Sequence, residues 1–512
     1  MTRPNGVSQA KIKSVAERGG SPFTAVAHAV AGRFTTGGGA PFDVRYPATG
    51  ETLVTLREAS EAECDQALAV ARGAFDRGDW RLRKGTERAA VLEKAGQLIL
   101  SRIEDLARMI VFDNGKTLPE ARIDVLAAAG NLKTFARYAA GEVMPAPIPD
   151  GSLLKMVVRD PVGVVVGLAP YNAPLPFASL KIAPALAAGN SIVFKPSERS
   201  PMLAAEFARV LYEAGLPEGA LGVLQGATGV ATRLAGDDRV NMISMTGGTV
   251  AGSAIMRLAA PTIKNLLLEL GGKSAHIILE DADIEMAIRG AAAGIFRNSG
   301  QRCFSGSRLV VQSSVADRVE EELCALADSL TLGDPFEEAT EVGAMIDDRA
   351  VDAAVDFVLR AKEEGLRVGA GGIRVEELRP GAFFRPTVLL GGTASCGPAQ
   401  EELFGPVTTL IRVRDADEAI SVANDSKYGL GGGVWSQDAA KALDVARRVR
   451  TGTMWINTYG AIRGDLPFGG YGQSGLGREG GMSGYEAYTE PKSIVIETNP
   501  GASAPLFRNR KS

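Results

Sequence analysis

The sequence predicts an α/β protein in which two parallel β-sheets are each flanked by helices. Three observations support this fold class. The chain has 512 residues, which is more than a single hydrophobic core usually needs. Short β-branched runs alternate with helical patterns between residues 156 and 226, and again between residues 274 and 470. Strands that alternate with helices along a chain form parallel sheets.

The composition is typical of a soluble globular protein. Hydrophobic residues make up 45% of the chain, charged residues make up 23%, and the net charge is −4. The chain has no Lys/Arg run of the kind that follows a phosphate backbone, so nucleic acid is not expected as a partner. The N-terminal segment leads into no apolar core, and the apolar stretch 161–170 is short and interrupted by Gly and Pro. We therefore expect a cytoplasmic protein that does not enter a membrane.

Cysteine and histidine usage argues against a metal site. The four cysteines have no CxxC spacing, and the two histidines, His28 and His276, lie far apart in the sequence. This pattern argues against a structural zinc site and against a disulfide framework. No metal is expected.

The first α/β series follows two amphipathic helices, predicted over 61–75 and 91–110 from the spacing of their apolar residues. Next come a strand in "MVVRDPVGVVVGLAP", a buried helix in "LKIAPALAAG" that ends at Gly189, and a strand in "NSIVFKP". The helix "PMLAAEFARVLYEAG" and the strand "GVLQG" complete the series. A nucleotide site is expected at the carboxyl ends of these strands.

The second series includes the strands "AHIILE", "RLVVQS" and "VTTLIRV" and the helices "SVADRVEEELCALADSL" and "DAAVDFVLRAKEEG". Two further segments read as extended chain outside both series. One is "EVMPAPIPDGSLLKMVVRDP", with a turn at Pro149-Asp150-Gly151, and the other is the tail "YTEPKSIVIETN". Protruding strands of this kind usually pair with another chain.

The stretch "GQRCFSGSR" places Cys303 between Gly300 and Gly306. An isolated cysteine is more often a small buried hydrophobic residue than a nucleophile. The two glycines favour the second role here, because they let the backbone turn tightly around the sulfur and direct an N–H towards a developing oxyanion.

Three other stretches carry polar residues next to predicted strands. Glu269 stands in the apolar "LELGGKS", where desolvation would raise its pKa into the range of a general base, although a salt-bridged Glu at a strand end is the simpler alternative. Asn172 in "APYNAPLPF" offers an amide donor or is only a turn residue. Lys195 and Glu198 follow a buried strand, and their spacing alone is weak evidence.

A glycine-rich turn, "MTGGTVAG", follows the apolar run "NMISM" and precedes a helical pattern. A strand that enters such a turn and then a helix suits a pyrophosphate, although glycine-rich turns are also common at ordinary helix starts.

Taken together and in order, the motifs resemble those of the aldehyde dehydrogenase superfamily over most of the chain. The matching stretches are "YPATGE", "PVGVVVGLAPYNAPL", "KIAPALAAGNSIVFKPSE", "LPEGALGVL", "MTGGT", "LELGGKS", "NSGQRC", "EELFGPV", "NDSKYGL" and "PFGGYGQSGLGREGG". The resemblance implies a Rossmann-like NAD-binding domain (1–141 and 161–271, with a return at 474–487) and an α/β catalytic domain (272–473). It also implies an oligomerisation arm of β-strands (142–160 and 488–512), and hence a homodimer or homotetramer.

The resemblance also implies a mechanism. Cys303 would attack an aldehyde, and the Asn172 amide and the Cys303 backbone N–H would hold the oxyanion. Hydride would pass to the cofactor, and Glu269 would activate the water that hydrolyses the thioester. Because branches of the family that acylate coenzyme A lack this glutamate, hydrolysis to the carboxylic acid is expected.

The implied cofactor is NAD, with NADP possible. Glu198 would accept from the ribose 2′-hydroxyl and repel a 2′-phosphate, whereas Arg199 beside it could favour one. The residues implied in cofactor binding are Pro170, Tyr171, Lys195, Glu198, Gly247, Gly248, Glu402 and Phe404. Gly248 stands where the family often has Ser, so a hydroxyl contact to phosphate would be missing.

The substrate is implied only as a small aldehyde. The pocket positions by register are Phe177, Leu180, Arg297, Arg302, Phe304, Ile462 and Arg463. An apolar pocket would suit a medium-sized apolar or aromatic aldehyde. Arg297 and Arg463 could instead clamp the carboxylate of a semialdehyde, or could make structural ion pairs.

Two other classes of protein fit the sequence less well. A catalytically silent scaffold would have no need of Cys303, Glu269 and Asn172, and a cysteine hydrolase would have no need of Lys195, Glu198, Glu402 and Phe404. The sequence therefore favours the dehydrogenase.

Overall fold

The computed structural model describes residues 6–8, 11–141, 148–462 and 464–499. Fifteen α-helices lie within these ranges: α1 (Glu61–Arg77), α2 (Gly85–Ser101), α3 (Ile103–Asn114), α4 (Leu118–Ala139), α5 (Pro174–Ala188), α6 (Met202–Ala214), α7 (Thr228–Gly236), α8 (Thr249–Ala259), α9 (Ile284–Phe296), α10 (Ser313–Ser329), α11 (Asp348–Glu363), α12 (Gly397–Gln400), α13 (Ala416–Asn424), α14 (Ala439–Arg448) and α15 (Gly481–Glu486).

The same ranges contain 22 strands: β1 (His28–Val30), β2 (Arg33–Thr35), β3 (Pro41–Arg45), β4 (Thr52–Arg57), β5 (Ile148–Asp150), β6 (Leu153–Pro161), β7 (Val164–Leu168), β8 (Ser191–Lys195), β9 (Leu221–Val223), β10 (Met242–Thr246), β11 (Asn265–Glu269), β12 (Ala275–Ile278), β13 (Arg308–Gln312), β14 (Arg367–Ala370), β15 (Thr387–Gly392), β16 (Val407–Val413), β17 (Tyr428–Gly429), β18 (Gly431–Trp435), β19 (Thr453–Ile456), β20 (Tyr471–Gly472), β21 (Gly475–Leu476) and β22 (Thr489–Glu497).

The first sheet has eight strands in the order β2-β1-β9-β8-β7-β10-β11-β21, and its strands from β9 to β11 are parallel. Neighbouring residues on its central strands point to opposite faces. Val165 and Ile192 pack into one hydrophobic cluster with helices α2 to α6, whereas Val164 and Val193 pack into another with α1, α7 and α8. The sheet is therefore covered on both sides, as an all-parallel core requires.

The second sheet has seven strands in the order β14-β15-β16-β13-β12-β18-β19, all parallel except β14. Leu309 and Val311 face a cluster that includes α9 and α10, and Val310 faces α13 and α14. The two series of strands and helices expected from the sequence thus form two sheets, and the expected α/β fold class is confirmed.

A third, antiparallel sheet joins β5, β6 and β22. β6 pairs with β22 along nine residues, from Leu153 opposite Glu497 to Pro161 opposite Thr489. These strands belong to the two segments that the sequence indicates as protruding chain. Residues 142–147 and 500–512 of the expected arm lie outside the described residues, and the domain boundaries remain predictions.

The buried helix α5 has the form expected from the sequence. Pro174 opens it, since the first turn needs no N–H from that position, and Gly189 ends it with φ of 96°. Most of its side chains are buried, including that of Lys181. The predicted helix over 91–110 differs, because the structure divides it into α2 and α3 at Arg102, whose φ of −115° is not helical.

Candidate active site

The carboxyl ends of the parallel strands of the first sheet place several of the predicted site residues at one edge. β7 leads to Asn172, β8 ends at Lys195, β10 leads to Gly247, and β11 ends at Glu269. The turn that carries Cys303 comes from the other series, between α9 and β13. The two sheets therefore contribute opposite walls of the site.

A cavity of about 270 Å³ lies at this meeting point. It is lined by Pro170, Tyr171, Asn172, Phe177, Thr246, Gly247, Gly248, Glu269, Leu270, Gly271, Cys303, Glu402 and Phe404. Ten of these residues are ones that the sequence singled out. Because Cys303, Glu269 and Asn172 line the same cavity, a molecule bound there can meet a thiol, a carboxyl group and an amide together.

Cys303 sits at the end of a tight turn. Asn298, Ser299 and Gly300 adopt left-handed conformations, with φ of 52°, 51° and 71°. A Cβ atom at Gly300 would collide with the Gly405 carbonyl and the Pro406 nitrogen, so only glycine fits there. The turn therefore packs closely against the loop that follows Phe404.

The Cys303 thiol is 8% exposed, and its pKa is raised well above its ordinary value. Burial is the main cause, and the negative charges of Glu269, Glu402 and Glu479 act in the same direction. The sulfur is therefore a neutral thiol in the resting protein, and it needs a proton acceptor or a nearby positive charge before it can act as a nucleophile.

Glu269 is 1% exposed, and neither of its carboxyl oxygens accepts a hydrogen bond of ordinary geometry. Burial raises the pKa of this carboxyl well above its usual range, and the charge of Glu479 raises it further, whereas Lys181 and the Cys303 thiol lower it. A carboxyl group with free oxygens and a raised pKa has the properties of a general base that works near neutral pH.

Asn172 is held through its backbone. Its carbonyl oxygen accepts hydrogen bonds from Lys116 Nζ at 3.0 Å and from Asn298 Nδ2 at 2.9 Å. The Oδ1 atom of its side chain is buried without a hydrogen-bond partner. Because no described residue binds the side-chain amide, it can donate to a molecule in the cavity.

Six of the predicted cofactor residues line the cavity: Pro170, Tyr171, Gly247, Gly248, Glu402 and Phe404. Lys195 and Glu198 are not among the lining residues and lie at and beyond the end of β8. Lys195 Nζ lies 3.4 Å from Glu198 Oε2, and the Lys195 side chain is largely buried. Gly248 immediately precedes α8, and a Cβ atom there would meet nothing within 4 Å. This open space before a helix N-terminus fits a pyrophosphate group.

Glu402 Oε1 accepts a hydrogen bond from Gly272 N at 3.0 Å. Burial raises the pKa of Glu402 to about 7 against the lowering effect of that bond. The Phe404 ring packs edge-on against Tyr171, with ring centroids 5.9 Å apart. The residues present therefore fit a nicotinamide dinucleotide, because polar and aromatic side chains and a glycine turn are all available to it.

Only one of the predicted substrate residues that the structure describes lines the cavity. Phe177 lines the cavity. Arg297 lies 3.8 Å from Glu120, and Arg302 Nη2 donates to the carbonyl oxygens of Ala293 and Gly294, so both guanidinium groups have protein partners. Ile462 is 43% exposed and is not among the cavity-lining residues. Arg463 lies outside the described residues.

Phe304 belongs to an aromatic cluster beside the cysteine. Its ring lies 5.7 Å from that of Trp455 and 5.9 Å from that of Phe468, measured between centroids, and Tyr459 donates a hydrogen bond to its carbonyl oxygen. This cluster forms an apolar surface next to Cys303.

Two residues next to the site were missed by the sequence analysis. Lys181 Nζ and Glu479 Oε1 lie 2.6 Å apart, and both side chains are at most 1% exposed. Both act on the pKa of Glu269. The signal was present, because a lysine in the otherwise apolar "LKIAPALAAG" needs a buried partner.

Other kinds of site find no support in the described part of the chain. No group of three or more His, Cys, Asp or Glu side chains there is arranged to hold a metal ion. Nor does any helix in those ranges have the length and apolar composition needed to cross a bilayer.

Comparison with known proteins identifies the family. The model of the aldehyde dehydrogenase family matches residues 34–494. The betaine aldehyde dehydrogenase of Bacillus subtilis strain 168 is 40% identical over 463 residues, which cover 89% of this chain and 94% of that protein. The betaine aldehyde dehydrogenase of Cereibacter sphaeroides strain KD131 is 37% identical and covers 90% of this chain and 95% of its own length.

Solved structures agree. The crystal structure of betaine aldehyde dehydrogenase from Staphylococcus aureus in complex with NAD+ has a TM-score of 0.91 and 36% identity, and it covers 94% of this chain and 97% of its own. A related structure of that enzyme holds NAD+ and a BME-modified cysteine. The chain oxidises an aldehyde through a cysteine-bound intermediate and uses NAD as its hydride acceptor. It belongs to the aldehyde dehydrogenase family.

Proposed function

We propose that Cys303 is the nucleophile, that Asn172 donates to the oxyanion and that Glu269 activates the hydrolytic water. The observation that carries this proposal is the single cavity lined by all three residues, in which neither Glu269 carboxyl oxygen accepts a hydrogen bond of ordinary geometry. Bound NAD+ supplies the acceptor for the hydride and a positive ring near the thiol.

In this scheme the Cys303 thiol gives its proton to solvent water as its sulfur bonds to the aldehyde carbon, and the carbonyl electron pair moves onto the oxygen. The new oxyanion is held by the Asn172 side-chain amide and the Cys303 backbone N–H. Loss of hydride leaves a thioester on Cys303. Glu269 then takes a proton from water, which attacks the thioester and releases the carboxylic acid and the free thiol.

For the cofactor, we assign Lys195 and Glu198 to the adenosine ribose, Gly247 and Gly248 to the pyrophosphate, and Glu402 to the nicotinamide ribose. Pro170, Tyr171 and Phe404 are assigned to the cavity wall beside the ring. Arg199 donates to Asp347 at 3.0 Å and stacks over the Tyr171 ring. Since this arginine is already engaged, NAD is favoured over NADP.

The substrate that the site supports best is a small aldehyde with an apolar or cationic body. The aromatic side chains of Tyr171, Phe177 and Phe404 line the cavity and favour such a body, and aromatic faces attract cations. The predicted pocket residue Phe304 is not among the lining residues and packs in the cluster beside Cys303. Betaine aldehyde, which carries a quaternary ammonium group, is the substrate named for the relatives and is therefore our first candidate. Arg297 is one of the two arginines expected to clamp a semialdehyde carboxylate. It lies 3.8 Å from Glu120 and so already has an acidic partner.

We further propose a homo-oligomer in the cytoplasm. The sheet of β5, β6 and β22 exposes Ile148, Val157, Val495 and Ile496. By register, Ile148, Val157 and Val495 share one face of this sheet, and Ile496 lies on the other. Exposed apolar side chains on protruding strands favour a second copy of the chain as partner. The four cysteines are free thiols, as is usual in a reducing compartment.

The test combines a substrate panel with a matched pair of variants. The purified protein is mixed with NAD and betaine aldehyde, an aromatic aldehyde or succinic semialdehyde, and the absorbance of the reduced cofactor is followed. Cys303→Ala is expected to abolish reduction, whereas Cys324→Ala, which removes a half-buried thiol on α10, is expected to leave it unchanged. Equal activity of both variants would overturn the assignment of the nucleophile, and a clear preference for the semialdehyde would overturn the proposed substrate class.

A further inference from the structure

Asn298 lies between the two groups that the mechanism must bring together. Its Nδ2 atom donates to the carbonyl oxygen of Asn172 at 2.9 Å and to that of Gln301 at 3.2 Å. Asn172 carries the proposed oxyanion donor, and Gln301 lies two residues before the nucleophile. One amide group thus ties the loop after β7, in the first series, to the cysteine turn in the second.

Asn298 is itself held firmly. Its backbone N–H donates to Glu120 Oε1 at 2.7 Å, and its carbonyl oxygen accepts from Gln301 N at 3.0 Å. The residue is 7% exposed and has φ of 52°. Asparagine tolerates this left-handed conformation better than most residues, but the conformation still costs free energy, and such strain persists only where the surroundings fix it.

The opposite side of the Asn172 carbonyl is occupied by Lys116. Lys116 Nζ donates to this oxygen at 3.0 Å and to Asp124 at 2.5 Å. The lysine fixes Asn172 relative to the start of α4, but it makes no hydrogen bond to the cysteine turn. Asn298 contacts both segments and therefore sets the distance between them.

We propose that Asn298 is a positioning residue, which holds the Asn172 amide at the distance from the Cys303 sulfur that the oxyanion requires. The proposal rests on the role assigned to Asn172 above. Electrostatic stabilisation of an oxyanion depends strongly on donor geometry, and a displacement of about 1 Å can lower a rate by about 10²-fold. Without Asn298, Asn172 would keep its side chain but lose its alignment with the sulfur.

The variants are chosen to separate positioning from folding. Asn298→Gly removes the amide and keeps the left-handed backbone accessible. Asn298→Asp keeps the size of the side chain. It replaces the Nδ2 donor with a carboxylate oxygen, which cannot donate to the carbonyl oxygens of Asn172 and Gln301. The matched control is Ser299→Gly, because Ser299 lies in the same turn, has φ of 51° and donates to Gly343 O instead.

Each change is made in the parent enzyme and in an Asn172→Ala background, and kcat/KM for the aldehyde is measured with saturating NAD. Asn298→Gly is expected to lower kcat/KM by about 10- to 100-fold in the parent and by less than about 3-fold in the Asn172→Ala background. Ser299→Gly is expected to cost less than about 3-fold in the parent. A purely structural role would give the same loss in both backgrounds, because it would not act through Asn172.

The outcomes distinguish this inference from the proposed function. If Asn172→Ala retains the parent kcat/KM, the role assigned to Asn172 fails. If Asn172→Ala loses activity but Asn298→Gly is within about 2-fold of the parent, or costs equally in both backgrounds, the positioning role alone is overturned. Should Asn298→Gly fail to fold, judged by its thermal transition, Asn298→Asp answers the same question by the same cycle.

Discussion

Glu269 and Cys303 line the same cavity, and each perturbs the ionisation of the other. The Glu269 charge raises the pKa of the thiol, whereas interaction with the thiol lowers the pKa of the carboxyl. Both groups are buried, so both hold their protons more tightly than they would in water. The protonation state of either group therefore affects how readily the other loses its proton.

The first prediction concerns the two half-reactions. Glu269→Gln should still form the thioester and release one equivalent of reduced cofactor in a burst, while steady-state turnover falls by about 10²- to 10⁴-fold because water is no longer activated. Rapid-mixing absorbance measurements separate the burst from the slow phase. A variant that loses both phases equally would show that Glu269 acts before hydride transfer.

The second prediction concerns stability and pH. Because the folded state raises the Glu269 pKa, this group stabilises the fold only while protonated, and its contribution falls as the pH rises from the ordinary carboxyl pKa through the raised one. Glu269→Gln should therefore unfold at a higher temperature than the parent at neutral pH, by the equivalent of about 1–3 kcal/mol.

Thermal unfolding at several pH values checks this expectation. The difference between Glu269→Gln and the parent should be small near pH 4 and should widen as the pH rises. A difference that is constant over the whole range would mean that packing, and not ionisation, is responsible.

The third prediction concerns the buried pair Lys181–Glu479. Lys181→Met leaves the Glu479 carboxylate buried without its cation, and the free energy of unfolding should fall by about 3–5 kcal/mol. The double variant Lys181→Met/Glu479→Gln should recover most of the loss, because neither position of the pair then carries a charge. Urea unfolding followed by tryptophan fluorescence measures both, and a double variant less stable than the single one would refute this account.

The fourth prediction concerns cofactor choice. Glu198→Gln should raise kcat/KM for NADP and lower it for NAD, changing their ratio by about 10-fold, because the carboxylate that would repel a 2′-phosphate is gone. Adding Asp347→Asn should raise NADP use further, since it releases Arg199.

The matched control for this change is Glu206→Gln. Glu206 lies on α6 and pairs with Arg209, so the variant makes the same charge change away from Lys195. An equal shift in cofactor ratio for both variants would mean that net charge alone governs the preference.

The fifth prediction concerns the proposed assembly. Val157→Glu combined with Val495→Glu should dissociate the oligomer, because two charges replace apolar side chains that are 50% and 58% exposed in the single chain. Sedimentation velocity measures the change in mass. Leu359→Glu, at a half-exposed leucine on α11, should leave the mass unchanged, and parent protein that sediments as a monomer would contradict the proposal.

Much of the fold could be predicted from local pattern. The parallel strands of both sheets follow from short apolar and β-branched runs, and the end of α5 at Gly189 follows from glycine chemistry. The antiparallel strands β1, β2, β14 and β21 were not predicted, because they are short and carry no such pattern. The division of residues 91–110 at Arg102 could not be predicted, because neither Gly nor Pro marks it; Arg102 pairs there with Glu213, which lies on a helix distant in sequence.

The site, like the fold, could be predicted from the sequence only in part. Cys303, Glu269 and Asn172 each stand in a short recognisable motif, and the structure brings them to one cavity. Lys181 and Glu479 lie in motifs equally well matched, but their pairing depends on how two distant segments meet. The position of Arg302 in its motif likewise does not reveal that its guanidinium group donates to the backbone carbonyl oxygens of Ala293 and Gly294.

The collision that would follow from any side chain at Gly300 has a consequence for biosynthesis. The turn beneath the sulfur rests on Gly405 and Pro406, which the ribosome adds long after Cys303. A growing polypeptide that has not reached them has no support for that turn, so the thiol acquires its reactive setting only once translation has passed this point. A nascent chain that ends before Gly405 therefore lacks part of the packing that shapes the turn of Cys303.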